Sequence, residues 1–318
     1  MTVPWGLIAL LGIAAMLASA AAVVLLAQRL RHPPRRTAGW ALARGRPVDP
    51  GDLGLAHRED EVAGMPFWIA ARDESTLASP EAPTVVLLHG WGRSRRDMLD
   101  RLEPWRRRGV RMAIPDLRGH GDADGPSGLG TPEVGDVAAL IDALPSGDVL
   151  LCGHSMGGVV AIHVAAQLAG GESPAARRSS RLAGVVAIAP YERVRVPAAA
   201  QLEASGFGGR GLATPVLAIL RGLGMRESST REAASRLGIP LLVLHGSEDR
   251  LCPIDDARRI AAGAGERGTF IEIEDAGHDD LRPDVLEAVE QAIEQALENW
   301  LDGRPHHRGG NVDDGDGR

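Results

Sequence analysis

A serine set between glycines carries the first sign of chemistry. Residues 149–166 read VLLCGHSMGGVVAIHVAA. The apolar run Val149 to Cys152 has the composition of a buried strand, and the small-residue run after Gly157 that of a helix. Between them, Gly153-His154-Ser155-Met156-Gly157 turns sharply and would project the Ser155 hydroxyl at the apex. Gly153 and Gly157 keep side chains out of the crowded turn, and Gly158 lets the helix lie close on the strand. A serine hydroxyl becomes a useful nucleophile when an imidazole takes its proton during attack. Two later strand-like runs end in loops that offer partners. Pro240 to His245 leads into Gly246-Ser247-Glu248-Asp249-Arg250-Leu251-Cys252-Pro253, and Thr269 to Ile273 into Asp275-Ala276-Gly277-His278-Asp279-Asp280. His278 is the imidazole with least competition, since His89, His120, His154 and His245 sit within other motif segments. For an orienting acid, Asp249 competes with Glu248, Asp255 and Asp256 on residue type alone.

Other elements must hold these loops. Thr84 to Leu88 reads as a strand ending in His89-Gly90-Trp91-Gly92, and Val110 to Ile114 as one ending in Pro115-Asp116-Leu117-Arg118-Gly119-His120-Gly121. Met65 to Ala71 and Leu182 to Ala189 read as further strands. Ser94 to Arg108 has Leu99, Leu102 and Trp105 at helical spacing. Thr131 to Leu144 reads as a helix with Thr131 as cap and Pro132 at its first position. Asp255 to Ala264 is a short helix. Pro283 to Leu301 is an amphipathic one, with Val285, Leu286, Val289, Ile293, Leu297 and Trp300 on one face. Strands alternating with helices predict an α/β protein with a mostly parallel sheet.

Taken in order, the GHSMGG turn, the HGWG loop, the PDLRGHG loop, the SEDRLCP loop and the His278 loop resemble the α/β-hydrolase superfamily, from about Glu61 to about Leu301. The shared GHSMGG and HGWG features are most similar to its monoacylglycerol lipase and general esterase branches. The resemblance implies an eight-stranded, mostly parallel sheet flanked by helices, with a short helical lid after the sixth strand. It implies a catalytic triad of Ser155, Asp249 and His278, in that chain order. It implies an oxyanion hole formed by the backbone N–H groups of Trp91 and Met156. The lid falls at Tyr191 to Gly238. Its Leu202, Phe207, Leu212, Val216, Leu217, Ile219, Leu220 and Met225 read either as ordinary lid packing or as the lining of an apolar pocket, with Met225 and Phe207 the candidates. His89 and His120 are expected to be structural hydrogen-bonding groups near the site. A serine nucleophile disfavours the dehalogenase and epoxide hydrolase reactions of this fold, which use aspartate.

Composition narrows the classes. The chain has 318 residues, 44% of them hydrophobic and only 3% aromatic, so its core must be aliphatic. A net charge of −7 argues against a nucleic-acid partner. Its basic residues are all arginine; the absence of lysine excludes Schiff-base chemistry. The two cysteines, Cys152 and Cys252, read as buried thiols and give neither a disulfide framework nor zinc-finger spacing. No metal or cofactor is expected, since no dinucleotide or Walker motif is present and the triad needs none. The cluster Arg93, Arg95, Arg96, Arg101, Arg106, Arg107 and Arg108 reads as a solvated face, with anionic lipid headgroups or a charged substrate group as the alternatives.

Val3 to Ala27 is uncharged and dominated by Leu, Ala, Ile and Val, long enough to cross a bilayer as a helix. Arg29, Arg31, Arg35 and Arg36 follow it, so the positive-inside rule places the domain in the cytoplasm. A cleavable signal sequence with Ala18-Ser19-Ala20 as its site, and an external or secreted domain, is the alternative; Met1 to Gly6 lacks the positive charge that it needs. The expected organisation is a transmembrane or signal-anchor helix over 1–28, a juxtamembrane linker over 29–60, the hydrolase domain over 61–302 with its lid at about 191–238, and a disordered tail over 303–318. The implied activity is a membrane-anchored serine hydrolase of carboxylic esters, lipid-like or medium-chain. A thioesterase, acyltransferase, amidase or perhydrolase is the alternative, and a non-catalytic binding protein of this fold the rival from another class.

Overall fold

The computed structural model describes residues 5–130, 132–169, 181–204, 209–298 and 300. The expected cap Thr131, the lid residue Phe207 and the tail 303–318 lie outside the described residues. Eight strands form one sheet: β1 Ala56–Val62, β2 Met65–Ala71, β3 Thr84–Leu88, β4 Arg111–Pro115, β5 Val149–His154, β6 Leu182–Ile188, β7 Leu241–Gly246 and β8 Gly268–Ile273. Their order is β1-β2-β4-β3-β5-β6-β7-β8. The pairs β1/β2 and β2/β4 are antiparallel, and all later pairs are parallel.

Strand alternation sends successive side chains to opposite faces. Val86, Leu88, Leu151, Val185, Ala187 and Val243 face one core. It is covered by α5 Pro132–Ala143, α6 Met156–Ala169 and α10 Ile254–Gly263. Val85, Leu87, Leu150, Cys152, Val186 and Leu244 face the other. That side is covered by α4 Glu103–Arg108 and by α11 Pro283–Leu297, whose Val285, Val289, Ile293 and Leu297 point inward. Burial on both faces explains why the central strands β3, β5, β6 and β7 read as continuous apolar runs.

Three expectations change in detail. The Ser94 to Arg108 helix is two short pieces, a 3₁₀ turn Arg95–Arg101 and α4. Pro104 lacks the N–H that a continuous helix would need and crowds the turn before it. Leu99, Leu102 and Trp105 are still buried. The sheet also begins at Ala56, ahead of the expected domain start at Glu61. β1 is Glu- and Asp-rich and shows no apolar alternation, so its place is set by a two-residue hairpin. Ala63 and Gly64 both take positive φ, 52° and 72°, as such tight turns require, and Val62 pairs with Met65 across them. The exposed charges of β1 suit an edge strand. Finally, the linker is structured. α1 runs Trp5–Arg31, followed by α2 Ala38–Leu42 and a 3₁₀ turn Pro50–Leu53, with α3, Glu74–Ala78, coming after β2.

Between β6 and β7 lie α7 Arg195–Ala204, α8 Gly209–Gly222 and α9 Thr230–Ala234. α8 packs against α1. From Trp5 to Ala21 every residue of α1 is exposed, whereas Leu26, Ala27 and Leu30 are buried in the core that α8 shares.

Candidate active site

The carboxyl ends of β3, β5, β7 and β8 converge, as ligand sites of open α/β sheets do. β5 runs through His154 and stops; α6 starts at Met156. Ser155 between them has φ 54°, a left-handed conformation that few non-glycine residues adopt. A Cβ added at Gly153 would lie 2.2 Å from the Gly157 carbonyl group, and one at Gly157 would lie 2.1 Å from the Leu88 carbonyl oxygen. Only glycine lets strand, turn and β3 approach this closely.

The structure brings Ser155, His278 and Asp249 together. Ser155 Oγ lies 2.9 Å from His278 Nε2, and His278 Nδ1 lies 2.7 Å from Asp249 Oδ2. A carboxylate only accepts, so Nδ1–H donates to Asp249 and Nε2 is left to accept from the Ser155 hydroxyl. Asp249 is almost fully enclosed, with its side chain 1% exposed. Its Oδ1 accepts from the N–H groups of Leu251 and Cys252, both at 2.8 Å, and its Oδ2 lies 3.1 Å from His245 Nε2. Burial alone would raise the Asp249 pKa. The hydrogen bonds from His245, His278 and the Cys252 N–H outweigh it and hold the carboxyl below the usual carboxylate range. The competing acids are spent elsewhere: Asp255 pairs with Arg258, and Asp256 takes the Glu192 N–H and pairs with Arg259.

Two histidines that residue type alone left without a role brace this chain. His245 Nε2 faces both Asp249 Oδ2 and the Cys252 carbonyl oxygen at 3.0 Å, so it must donate and cannot be the acceptor tautomer. His154 Nε2 donates to the His278 carbonyl oxygen at 2.7 Å, fixing the backbone of the His278 loop. Burial holds the His154 pKa well below its usual value, so it acts as a neutral donor. No spacing rule marks either one. His89 accepts from the Leu117 N–H at 2.9 Å and lies beside His120, ring centroids 5.1 Å apart. Burial pushes these two down to about 4 and about 3, so both are neutral at pH 7.

A cavity of about 390 Å³ opens over Ser155, within the range of small-molecule sites. Its floor carries Gly90, Trp91, Ser155, Met156 and His278. Met156 N–H is the first of α6 and has no intrahelical acceptor, and the helix N-terminus favours negative charge. The Trp91 indole Nε1 donates to the Leu30 carbonyl oxygen at 2.9 Å, which ties its loop to the end of α1. The roof is built by Leu30, Pro34, Trp40, Val194, Pro197 and Ala198. Met225 lies away from it, in a separate cavity with Leu220, Leu223 and Arg31. It sits just past α8, its N–H donating to the Leu220 carbonyl oxygen at 3.0 Å.

The arginine cluster is a solvated face only at Arg106, Arg107 and Arg108; the rest is enclosed or paired. Arg95 and Arg96 are buried over the Trp68 ring and paired with Asp116 and Asp122. Arg93 and Arg101 pair with Asp279, which pins the His278 loop from outside. Arg106 and Arg107 pair with Glu103 on the surface. Arg95, Arg96 and Arg101 serve as anchors because a 3₁₀ turn points successive side chains to three sides. Asp280 takes the Gly277 and Arg282 N–H groups and completes the loop.

Among the described residues, the one group with metal-donor proximity is Asp249, Cys252 and His278, with ligand atoms within 4.8 Å of one another. Burial raises the Cys252 pKa far above its usual value, and Asp249 and His278 already spend their facing atoms on each other. This donor set suits a proton relay better than a cation.

A model of the alpha/beta hydrolase family matches residues 85–292, well over half of the chain. The chain belongs to that family. The AB hydrolase superfamily protein YisY of Bacillus subtilis (strain 168) is 24% identical over 235 residues, 61% of this chain and 84% of that protein. A pimeloyl-(acyl-carrier protein) methyl ester esterase of Aromatoleum aromaticum is 39% identical over 88 residues, 26% of this chain and 31% of that protein. Among solved structures, the Pyrococcus furiosus esterase PF2001 superposes with a TM-score of 0.64 at 19% identity, covering 86% of this chain and 98% of that one. A membrane phospholipase A described as a bacterial virulence factor gives 0.58 at 20% identity, covering 92% and 97%. These likenesses establish the fold.

Proposed function

We propose that the protein is a membrane-anchored serine hydrolase of carboxylic esters, with medium-chain or lipid-like acyl groups. The observation that carries this is the unbroken relay from Ser155 through His278 to Asp249 beneath a mostly apolar cavity. Ser155 attacks the ester carbonyl while His278 takes its proton; Asp249 fixes the tautomer and stabilises the imidazolium. The Met156 and Trp91 N–H groups receive the oxyanion. The alcohol leaves with the proton from His278, and water activated by the same imidazole releases the acid from the acyl-enzyme.

Hydrolysis of p-nitrophenyl esters of graded acyl length by the full chain tests this. The full chain is needed because Leu30 and Pro34 wall the cavity. Ser155→Ala is expected to lower kcat by about 10⁶-fold, with an optimum at medium acyl length. Turnover that survives the substitution would refute the reading. For the anchor, α1 is apolar on all sides and long enough to span, and Arg29, Arg31, Arg35 and Arg36 follow the apolar run. A reporter fused after Arg318 should therefore be active in the cytoplasm. Activity on the outside alone would reverse the orientation.

A further inference from the structure

α1 offers two lengths that have to be reconciled. Among the described residues its continuously exposed part, Trp5 to Ala21, has seventeen residues; Ala22 and Val23 are half-buried, Val24 and Leu25 exposed, and Leu26 and Ala27 buried. At about 1.5 Å per residue that is about 25 Å of helix, against about 30 Å of hydrocarbon in a bilayer. A helix that spans with this stretch therefore leaves little free chain between the bilayer and the folded domain. The surface where α1 enters the fold must lie against the headgroups. The roof of the candidate active site is built from the far end of the same helix, Leu30 lying eight residues, about 12 Å, beyond Ala22. Leu30, in the last turn of α1, lines the cavity, as do Pro34, Arg35, Arg36 and Trp40 just beyond it. Leu223, exposed at 46%, borders the neighbouring cavity beside Arg31.

We infer that the cavity opens onto the bilayer surface and takes its substrate sideways from the membrane. The substrate class is an amphiphilic ester whose acyl chain is dissolved in the bilayer and slides along the end of α1, under α7, to Ser155. This rests on the proposed ester hydrolysis and adds the route to it. The mouth suits such a molecule. Leu30, Pro34, Val194, Pro197 and Ala198 offer an apolar path for a chain, and Arg35 and Arg36 line the same cavity with positive charge. Both arginines are held to the domain, Arg35 through the Gly121 carbonyl oxygen and Arg36 through Asp97. They shape the mouth rather than swing free of it.

The test uses the full chain in phosphatidylcholine vesicles with two esters, water-soluble p-nitrophenyl butyrate and bilayer-dissolved 4-methylumbelliferyl oleate. A ten-residue Gly-Ser spacer between Ala20 and Ala21 lifts the domain off the bilayer. It leaves the apolar run up to Ala20 to span and the segment from Ala22 to Leu30, with the buried Leu26, Ala27 and Leu30, untouched. Oleate turnover in vesicles should fall at least tenfold, while butyrate turnover, and oleate turnover in detergent micelles, stay within twofold. Oleate turnover in vesicles unchanged by the spacer would overturn the inference. A second measurement needs no variant: a phospholipid with a photoreactive group near its headgroup should label peptides covering residues 34–42. Labels confined to residues 5–25 would overturn the inference equally. If the parent chain turns over neither ester through Ser155, the hydrolase reading falls, and the route falls with it.

Discussion

The cavity has two walls of different construction. The floor is made of strand ends: the β5 turn with Ser155, the β7 loop with Asp249, the β8 loop with His278 and the β3 loop with Trp91. The β3, β5 and β7 ends are fixed by buried parallel strands and the β8 end by its parallel pairing with β7, and their polar groups are cross-braced by His154, His245 and Asp279. The roof is made of pieces from both ends of the sequence interval, the end of α1, the stretch around Pro34 to Trp40, and α7. Its lining is mostly apolar, and it is tied down at a few points, by the Trp91 indole on the Leu30 carbonyl oxygen and by Arg35 and Arg36 on the Gly121 carbonyl oxygen and Asp97. Directional chemistry needs preorganised dipoles within fractions of an ångström, whereas holding an acyl chain needs only shape and the exclusion of water. A rigid floor can therefore sit under a roof assembled from distant segments.

Substitutions can break or sharpen that contrast. The largest effect beyond Ser155 itself should come from the floor. Asp249→Asn leaves the shape intact but offers His278 the wrong tautomer, and kcat should fall about 10⁴-fold with little change in KM. A loss below tenfold would mean that the orienting acid lies elsewhere. The same variant reports on stability. The Asp249 pKa is depressed in the fold, so its stabilisation is fully present above the unfolded carboxylate value of about 3.9 and is lost as pH falls through the lower folded value. The gap in urea midpoint between the parent and Asp249→Asn should be flat from pH 7 to about pH 5 and close only below about pH 4. A gap that closes already near pH 6 would contradict a depressed carboxyl.

The smallest effect belongs to the joint between floor and roof. Trp91→Phe keeps the backbone N–H and the ring but loses the donor to the Leu30 carbonyl oxygen. One neutral hydrogen bond is worth about 0.5–1.5 kcal/mol, so kcat should drop about two- to tenfold. If KM alone changes, the indole shapes binding rather than the oxyanion loop. A thousandfold loss would show the two walls to be a single unit, and the contrast drawn above would fail.

The legibility of the sequence follows the same division. Strands buried on both faces announce themselves as apolar runs, and the turn at their ends needs glycines where an added Cβ would come within 2.1–2.2 Å of backbone atoms, so Gly153 and Gly157 stand out. The roof left no such mark. Pro34, Trp40 and Ala198 meet only because α1 docks on the domain, and no local period encodes that contact. β1 was hidden for a related reason. Its register is set by backbone pairing and by the Ala63–Gly64 turn, while its side chains are charged. His154 and His245 escaped notice because a bracing histidine differs from any other buried one only in its partners. Met225 looked like a pocket residue because hydrophobicity signals burial without direction.

The backbone at Ser155 carries one more implication. Its φ of 54° is a conformation that costs a non-glycine residue about 1–3 kcal/mol. The packed glycines on either side leave no room to relax it. A chain selected for thermodynamic robustness alone would gain from a glycine here, or from an asparagine, which tolerates this geometry well. The serine is thus a thermodynamic debt kept on deposit at the tightest point of the molecule, and tolerance to mutation should be poorest around it. In an evolving population, stabilising changes elsewhere would be the ones that allow that turn to persist.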